Sequence, residues 1–351
     1  MRSRSRVLRS LAMVAVLSLA ATGVTHAVGM VSTVKIESSK THEPADVLAA
    51  PDGSVWYTTR HVARGTSPDT VGRIAPDGKQ VVEAPLRSFG NPDNLTIGPD
   101  GAVWLTQGFE ISRAVFDGLE IQTTTFRVTD GEQLGQVNSM TLGPDGNLWM
   151  AEAEPSGDLV WRYEVDANVF TAFPLGVNVF PRDIEAGPDG ALWVAEEATT
   201  RPGAGSIARV STDGVVTDRF AAAGNPTEIV TGPDGALWFI ERFRGRRVGR
   251  ITTDGEVSYP LLDPGLSDAR VRVWEIAADP VHHRLYVTEH HRFDQLGAVI
   301  QIDLAGGVEP FPTATTGPEK KSLPFGVTVD ANGDVWWAQF GVGRIAKLTV
   351  D

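Results

Sequence analysis

One short turn followed by an aromatic residue recurs through this chain, and no other feature limits its fold as strongly. Pro51-Asp52-Gly53, Pro99-Asp100-Gly101, Pro144-Asp145-Gly146, Pro188-Asp189-Gly190 and Pro233-Asp234-Gly235 lead, three residues after the glycine, to Trp56, Trp104, Trp149, Trp193 and Trp238. Two variant copies complete a set of seven: Asp279 to Tyr286, with a tyrosine and one extra turn residue, and Asp330-Ala331-Asn332-Gly333 leading to Trp336. Successive aromatics are 44 to 50 residues apart. That interval, filled with short β-rich runs and no stretch of 3.6-residue period, is the signature of propeller blades, each a four-stranded sheet. Asp-Gly between alternating runs such as Asn94-Leu95-Thr96-Ile97 and Ala102-Val103-Trp104-Leu105 supplies the positive φ of a tight hairpin.

A second motif marks the third strand of the unit: Val71-Gly72-Arg73-Ile74, Val160-Trp161-Arg162-Tyr163, Ile207-Ala208-Arg209-Val210 and Val248-Gly249-Arg250-Ile251, with Val342-Gly343-Arg344-Ile345 as the seventh copy. The last copy stands just before Asp351, which leaves blade seven one strand short. Val34-Lys35-Ile36-Glu37 precedes the first inner strand and is expected to pair with the third strand of blade seven, closing the ring so that no sheet edge stays open. The expectation is an all-β, seven-bladed propeller of four-stranded blades spanning residues 28–351.

Before it, Arg2, Arg4, Arg6 and Arg9 lead into an apolar run from Leu11 to Ala21 and the small residues of Thr25-His26-Ala27. That is the pattern of a cleaved signal peptide over residues 1–27, its apolar run about half the roughly 20 residues a membrane span needs. The expected location is extracytoplasmic, without membrane insertion. There is no cysteine, which removes disulfides, thiolate metal sites and thiol nucleophiles. The formal charge is −13, and four units more negative once residues 1–27, with four arginines and no acid, are gone. Such a field disfavours nucleic acid and favours neutral or cationic partners or a bound metal ion.

The turns occupy one face of the ring, so the starts of the inner strands and the ends of the second strands converge on the other. Any site is expected there. The second residue after the proline that opens most inner strands is Asp46, Asn94, Asp183 and Glu228 in blades one, two, four and five, with Ser139, Glu275 and Gly326 aligned in the others. Asp46, Asn94, Asp183, Glu228 and Glu275 are candidate oxygen ligands for Ca²⁺ or Mg²⁺ on the ring axis. The same side chains could instead accept hydrogen bonds from neighbouring blades or line a wet channel.

The second strands end in Arg60-His61, Gln107, Glu152, Glu196-Glu197, Glu241-Arg242, Glu289-His290-His291 and Gln339. A glutamate in four of these is in part a habit of the repeat. Glu289, His290 and His291 form the more particular cluster, a candidate acid-base group in which a carboxylate balances a histidine of near-neutral pKa, or else polar residues at a loop mouth. Arg242, with Arg244, Arg246 and Arg247, is a candidate anion-binding patch or a solvated loop. His282 and His283 fall on the opposite face and receive no role.

Gly232 to Phe239 and Val248 to Gly255 resemble the repeats of the streptogramin B lyase (virginiamycin B lyase) family, and the likeness covers all seven units. The resemblance implies a seven-bladed propeller and, for the characterised lyases, Mg²⁺-assisted elimination that opens a cyclic depsipeptide at its ester. The family's histidines follow the opening residues of two late inner strands, and its metal glutamates lie near the last blade. Here those places hold Trp274, Phe325, Leu323, and Gln339 with Phe340. The family mechanism is therefore not carried over. A looser resemblance, to gluconolactonase-like propellers that hold an axial cation and hydrolyse lactones, would draw on Glu43, Asn138, Asp183 and Glu228.

Two functions follow: a metal-assisted lyase or ester/lactone hydrolase, or a non-catalytic module whose funnel, with Trp274, Phe325 and Arg242, holds a small molecule, peptide or glycan. Flat apolar rings in place of histidines suit stacking better than proton transfer. A scaffold for protein partners is a third reading. No organic cofactor is expected, and the chain is expected to act as a monomer.

Overall fold

Within each repeat the tight turns fold the chain back on itself, and the computed structural model shows seven four-stranded antiparallel sheets. It describes residues 31–36, 38, 41–61, 68–87, 90–127, 135–153, 157–198, 205–241, 247–261, 271–291, 297–313 and 322–350. The expected signal peptide lies outside these residues, as does Arg242; of His291 only the backbone lies within them. Among the described residues no helix is long and apolar enough to cross a membrane.

The inner strands are His42–Ala49, Asp93–Ile97, Gln136–Leu142, Pro181–Ala186, Pro226–Thr231, Val271–Asp279 and Leu323–Val329. In six blades the four strands follow in chain order. In the seventh the outer strand is Val31–Lys35, pairing antiparallel with Arg344–Leu348 from Val31↔Leu348 to Lys35↔Arg344. The expected closure is therefore present, made by the third strand and the N-terminal segment.

The core is divided seven ways. Each repeat aromatic packs into the following blade: Trp104 against Met140 and Leu148, Trp149 against Ile184 and Leu192, Trp193 against Ile229 and Leu237, Trp238 against Ile276 and Leu285. Tyr286 meets Val327 of blade seven, and Trp336 meets Val47 of blade one. Because a blade is covered on both faces, second strands such as Leu148–Ala153 and Leu237–Glu241 are buried at every residue. Outer strands such as Val216–Ala221 are largely exposed. Burial of one such aromatic contributes about 4–6 kcal/mol before chain entropy is counted.

The motif residues clasp this packing from the turn face. Asp100, Asp145, Asp189, Asp234 and Asp330 accept the indole N–H of Trp104, Trp149, Trp193, Trp238 and Trp336 at 2.9–3.0 Å. The third-strand arginine crosses to the same carboxylate in blades four and five, Arg209 to Asp189 and Arg250 to Asp234 at 2.7 Å, and in blade one Arg73 reaches the turn residue Asp52 at 2.8 Å. Partial burial works against ionisation of Asp189 and Asp234, but the indole and guanidinium donors hold both carboxyls below their ordinary range. The two glycines of Gly232-Pro-Asp-Gly235 serve different ends. A Cβ at Gly232 would stand 2.3 Å from the Trp238 ring, whereas Gly235 takes φ +73°.

Two motif assignments change. In blade seven Lys347, not Arg344, stands opposite Trp336 and reaches Asp334 at 2.6 Å, so the Val342-Gly343-Arg344-Ile345 copy is three residues out of register. His282 and His283 build the blade-six turn. Asp279 accepts the Val281 and His282 amides and the His282 ring, and His283 takes the left-handed φ of 55° that glycine takes elsewhere.

Candidate functional site

Every inner strand carries a β-bulge at the same level, where its pairing with the second strand shifts register: between Pro44 and Val47, Asp93 and Leu95, Val137 and Ser139, Pro181 and Asp183, Pro226 and Glu228, Val273 and Ile276, and Pro324 and Val327. A bulge takes backbone amides out of the ladder and re-aims side chains. The preceding blade supplies the missing acceptors. Leu95 N–H donates to Asp46 Oδ2 (2.8 Å), Met140 N–H to Asn94 Oδ1 (2.8 Å), Ile184 N–H to Ser139 Oγ (3.4 Å), Ile229 N–H to Asp183 Oδ2 (2.7 Å) and Val327 N–H to Glu275 Oε1 (3.3 Å). Of the candidate metal ligands, Asp46, Asn94, Asp183 and Glu275 thus cap amides of the next blade, an arrangement also open from sequence. Among the described residues no three His, Asp or Glu side chains converge to hold an ion. Asn138, from the gluconolactonase-like set, donates its Nδ2 to the Pro181 carbonyl at 2.7 Å.

Blade seven breaks the series with Gly326, and the Val47 amide is capped instead by Asp46 of its own strand at 2.7 Å. Across the gap the Asp46 charge bears on the Glu275 carboxyl, and burial of both disfavours the state in which both are ionised. Burial and the nearby Asp93 charge push Asp46 up to about 7. Burial, with the charges of Asp46 and Glu228, raises Glu275 well above the carboxylate range. One level deeper, burial and Asp183 push Glu185 up to about 7, while it accepts the Thr231 amide at 3.2 Å.

At the mouth of the channel stand the residues just before this level: Asp93, Asn138, Arg182, Thr227, Trp274 and Phe325 in blades two to seven. They sort by chemistry. Asp93 pairs with Arg60 at 2.5 Å and Arg182 with Glu197 at 3.6 Å. Opposite in character are blades six and seven, where the Trp274 and Phe325 rings lie 4.7 Å apart. His290 joins them at 5.0 and 4.7 Å, and Phe340 packs on Phe325 at 4.9 Å. The structure therefore brings together three residues singled out from sequence for different purposes, Trp274, His290 and Phe325.

The candidate acid-base cluster is divided by its own strand. Glu289 and His290 pair regularly with Ala298 and Gly297, so their side chains point to opposite faces of the sheet. The His290 Nε2 donates to the Pro324 carbonyl of blade seven. The other second-strand glutamates brace their own blades. Glu196 accepts Ser206 Oγ at 2.6 Å and Arg219 at 2.8 and 2.9 Å. Glu241 accepts the Gly224 amide at 2.8 Å and Tyr259 Oη at 2.6 Å, and Glu152 accepts the Gly135 amide and Trp161 Nε1.

Two features of the mouth escaped sequence reasoning. Phe340 completes the aromatic cluster, and its place at the end of a second strand, beside the Phe325 strand, was the signal for it. In blade one, His42 and His61 meet edge to face at 4.9 Å, His42 being held between Thr41 Oγ1 and the Pro68 carbonyl at 2.8 Å each. Both flank the same mouth.

A family model described as the Virginiamycin B lyase family matches residues 29–348. Among solved structures, a streptogramin B lyase superposes with a TM-score of 0.72 at 21% identity, over 92% of this chain and 98% of its own. The virginiamycin B lyase from Staphylococcus aureus gives 0.72 at 24% identity, over 92% and 100%. YCF48 bound to D1 peptide gives 0.61 at 12% identity, over 93% and 97%. At these identities the structural likeness carries the fold. No curated protein sequence matches.

Proposed function

The chain belongs to the virginiamycin B lyase family, and from that footing we propose that it is an extracytoplasmic ligand-binding propeller whose site is the aromatic mouth of blades six and seven. The single observation that carries this reading is the cluster of tilted and edge-to-face ring contacts among Trp274, His290 and Phe325, extended by Phe340 on Phe325, at the positions and neighbours of the family's expected histidines and glutamate. Such a surface gives a flat apolar ligand two or more ring faces. The ligand is a small molecule, peptide or glycan bearing such a group. The histidine beside the rings is engaged by a backbone carbonyl, which holds its orientation rather than presenting a base.

Tryptophan fluorescence tests it. Titration with phenylalanine-bearing peptides and with glycans should give saturable quenching with one class of probe, lost in Trp274→Ala, while chromatography shows the probe unchanged. Quenching that survives Trp274→Ala, or conversion of the probe, overturns the reading.

A catalytic reading has one observation in its favour, the proton-holding Asp46–Glu275 pair on the axis, since perturbed carboxyls in a cleft mark acid-base sites. A metal-assisted lyase or ester/lactone hydrolase would also need an ion among Asp46, Asn94, Asp183, Glu228 and Glu275. Calorimetric titration with Ca²⁺ and Mg²⁺ decides this, and absence of binding at millimolar cation rejects it.

A further inference from the structure

Glu43 opens the inner strand of blade one beside the aromatic mouth. Its strand partner is Arg60, but that guanidinium is committed to Asp93 at 2.5 Å and to the Pro92 carbonyl at 3.4 Å. The strand that carries Glu43 packs against the second strand of blade seven, which ends at Phe340. The Glu43 Oε2 is buried and has no hydrogen-bond partner among the described residues. A carboxylate oxygen withdrawn from water without a donor is destabilised by several times the worth of an ordinary hydrogen bond, and a ligand that brings a donor recovers that loss. Next to it, Phe340 packs on Phe325 and Phe325 on Trp274, a run of aromatic faces that attract cations. The wider field has the same sign: Asp93 and Glu228 lie around the axis of a chain carrying −13.

We propose that the mouth selects ligands bearing a primary ammonium group next to an aromatic or apolar ring, the ring on Trp274, Phe325 and Phe340 and the ammonium turning the half-buried Glu43 carboxylate outward to accept from it. This rests on the reading of the mouth as a binding site and adds the charge of what it binds. Carboxylate ligands are excluded by the same field, and neutral isosteres offer Glu43 only an uncharged donor and so the weaker hydrogen bond.

The test uses three probes of one shape, phenethylammonium, 2-phenylethanol and 3-phenylpropionate, titrated at pH 7 into the mature protein with tryptophan fluorescence and calorimetry as readouts. The ammonium should bind at least about tenfold more tightly than the alcohol, the difference of one charge-assisted hydrogen bond, and the carboxylate should not bind. In Glu43→Gln the ammonium should fall to the affinity of the alcohol, whose own affinity stays the same. The wild-type comparison needs no variant, so a folding defect in Glu43→Gln leaves the test intact. Equal binding of ammonium and alcohol overturns this inference alone, as does a preference unchanged in Glu43→Gln. Binding of none of the three overturns it together with the binding reading.

Discussion

Gly326 of blade seven lies against Asp46 of blade one so closely that a Cβ on the glycine would stand 2.6 Å from the Asp46 Cα and 2.7 Å from its Oδ1. Its φ is not positive, so space and not backbone conformation demands glycine here. Gly326→Ala must push apart the seam at which the ring closes, against backbone that cannot rotate away. A loss of about 1–3 kcal/mol is expected, as for other overpacked interiors. Thermal denaturation of the variant checks it, and an unchanged Tm shows the seam to be compliant.

The buried carboxyls across that seam contribute a pH dependence opposite in sign to that of the ion-paired Asp189 and Asp234. Folded Asp46 keeps a proton up to about pH 7, whereas unfolding returns it to its ordinary value of 3.8. Between those values the folded state binds more protons. Stability from this group is thus full below about pH 4, declines as pH rises to about 7 and levels off above. The slope is at most about 1.4 kcal/mol per pH unit for each proton so held. Asp46→Asn keeps an acceptor for the Leu95 amide and removes the titration. Its denaturation midpoints should therefore vary less between pH 4 and 7 than those of the wild type; parallel profiles refute the pairing.

Ring closure rests on the five residues of Val31–Lys35. Deletion of residues 28–40 exposes the Arg344–Leu348 strand as an open edge and removes Val34 and Ile36 from the blade-one and blade-seven core. Loss of a single cooperative melting transition, with self-association on gel filtration, is the expected outcome. A melting curve like that of the intact mature chain sinks it.

The turn-face clasp can be taken apart one donor at a time. Asp234→Ala leaves the Trp238 indole N–H, 2% exposed as a residue, without its acceptor and frees Arg250. About 1–3 kcal/mol of destabilisation follows from an unsatisfied buried donor. Asp234→Asn retains an acceptor and loses only the charge, so it should be the milder change in urea unfolding. The reverse order would show the ion pair to Arg250 outweighing the indole bond.

Much of the ring could be read in advance because its signals are short in range. Asp-Gly turns, strand alternation and the aromatic three residues on are settled within about ten residues of chain. Where the local signal was ambiguous the reading slipped: Val342-Gly343-Arg344-Ile345 has the look of the third-strand motif, but pairing with Val335–Phe340 puts Lys347 in the arginine's place. The site was half legible. Trp274 and Phe325 stood out as aromatics in polar company, yet their contact with His290 and the separation of Glu289 from His290 depend on bulge position and strand face. No spacing rule supplies either.

The sequence alone determined seven blades, their turns, the aromatic that each sends into its neighbour and the N-terminal strand that completes the last. Only the tertiary structure decided what the axial polar residues do. Asp46, Asn94, Asp183 and Glu275 find their partners one blade on, 46 to 52 residues away in the chain, and Asp46 nears Glu275 only because the ring returns to its start past a glycine. Turn chemistry is local and written residue by residue. Whether a carboxylate meets an amide, an ion or another carboxylate is fixed by closure of the whole ring, which no single repeat contains.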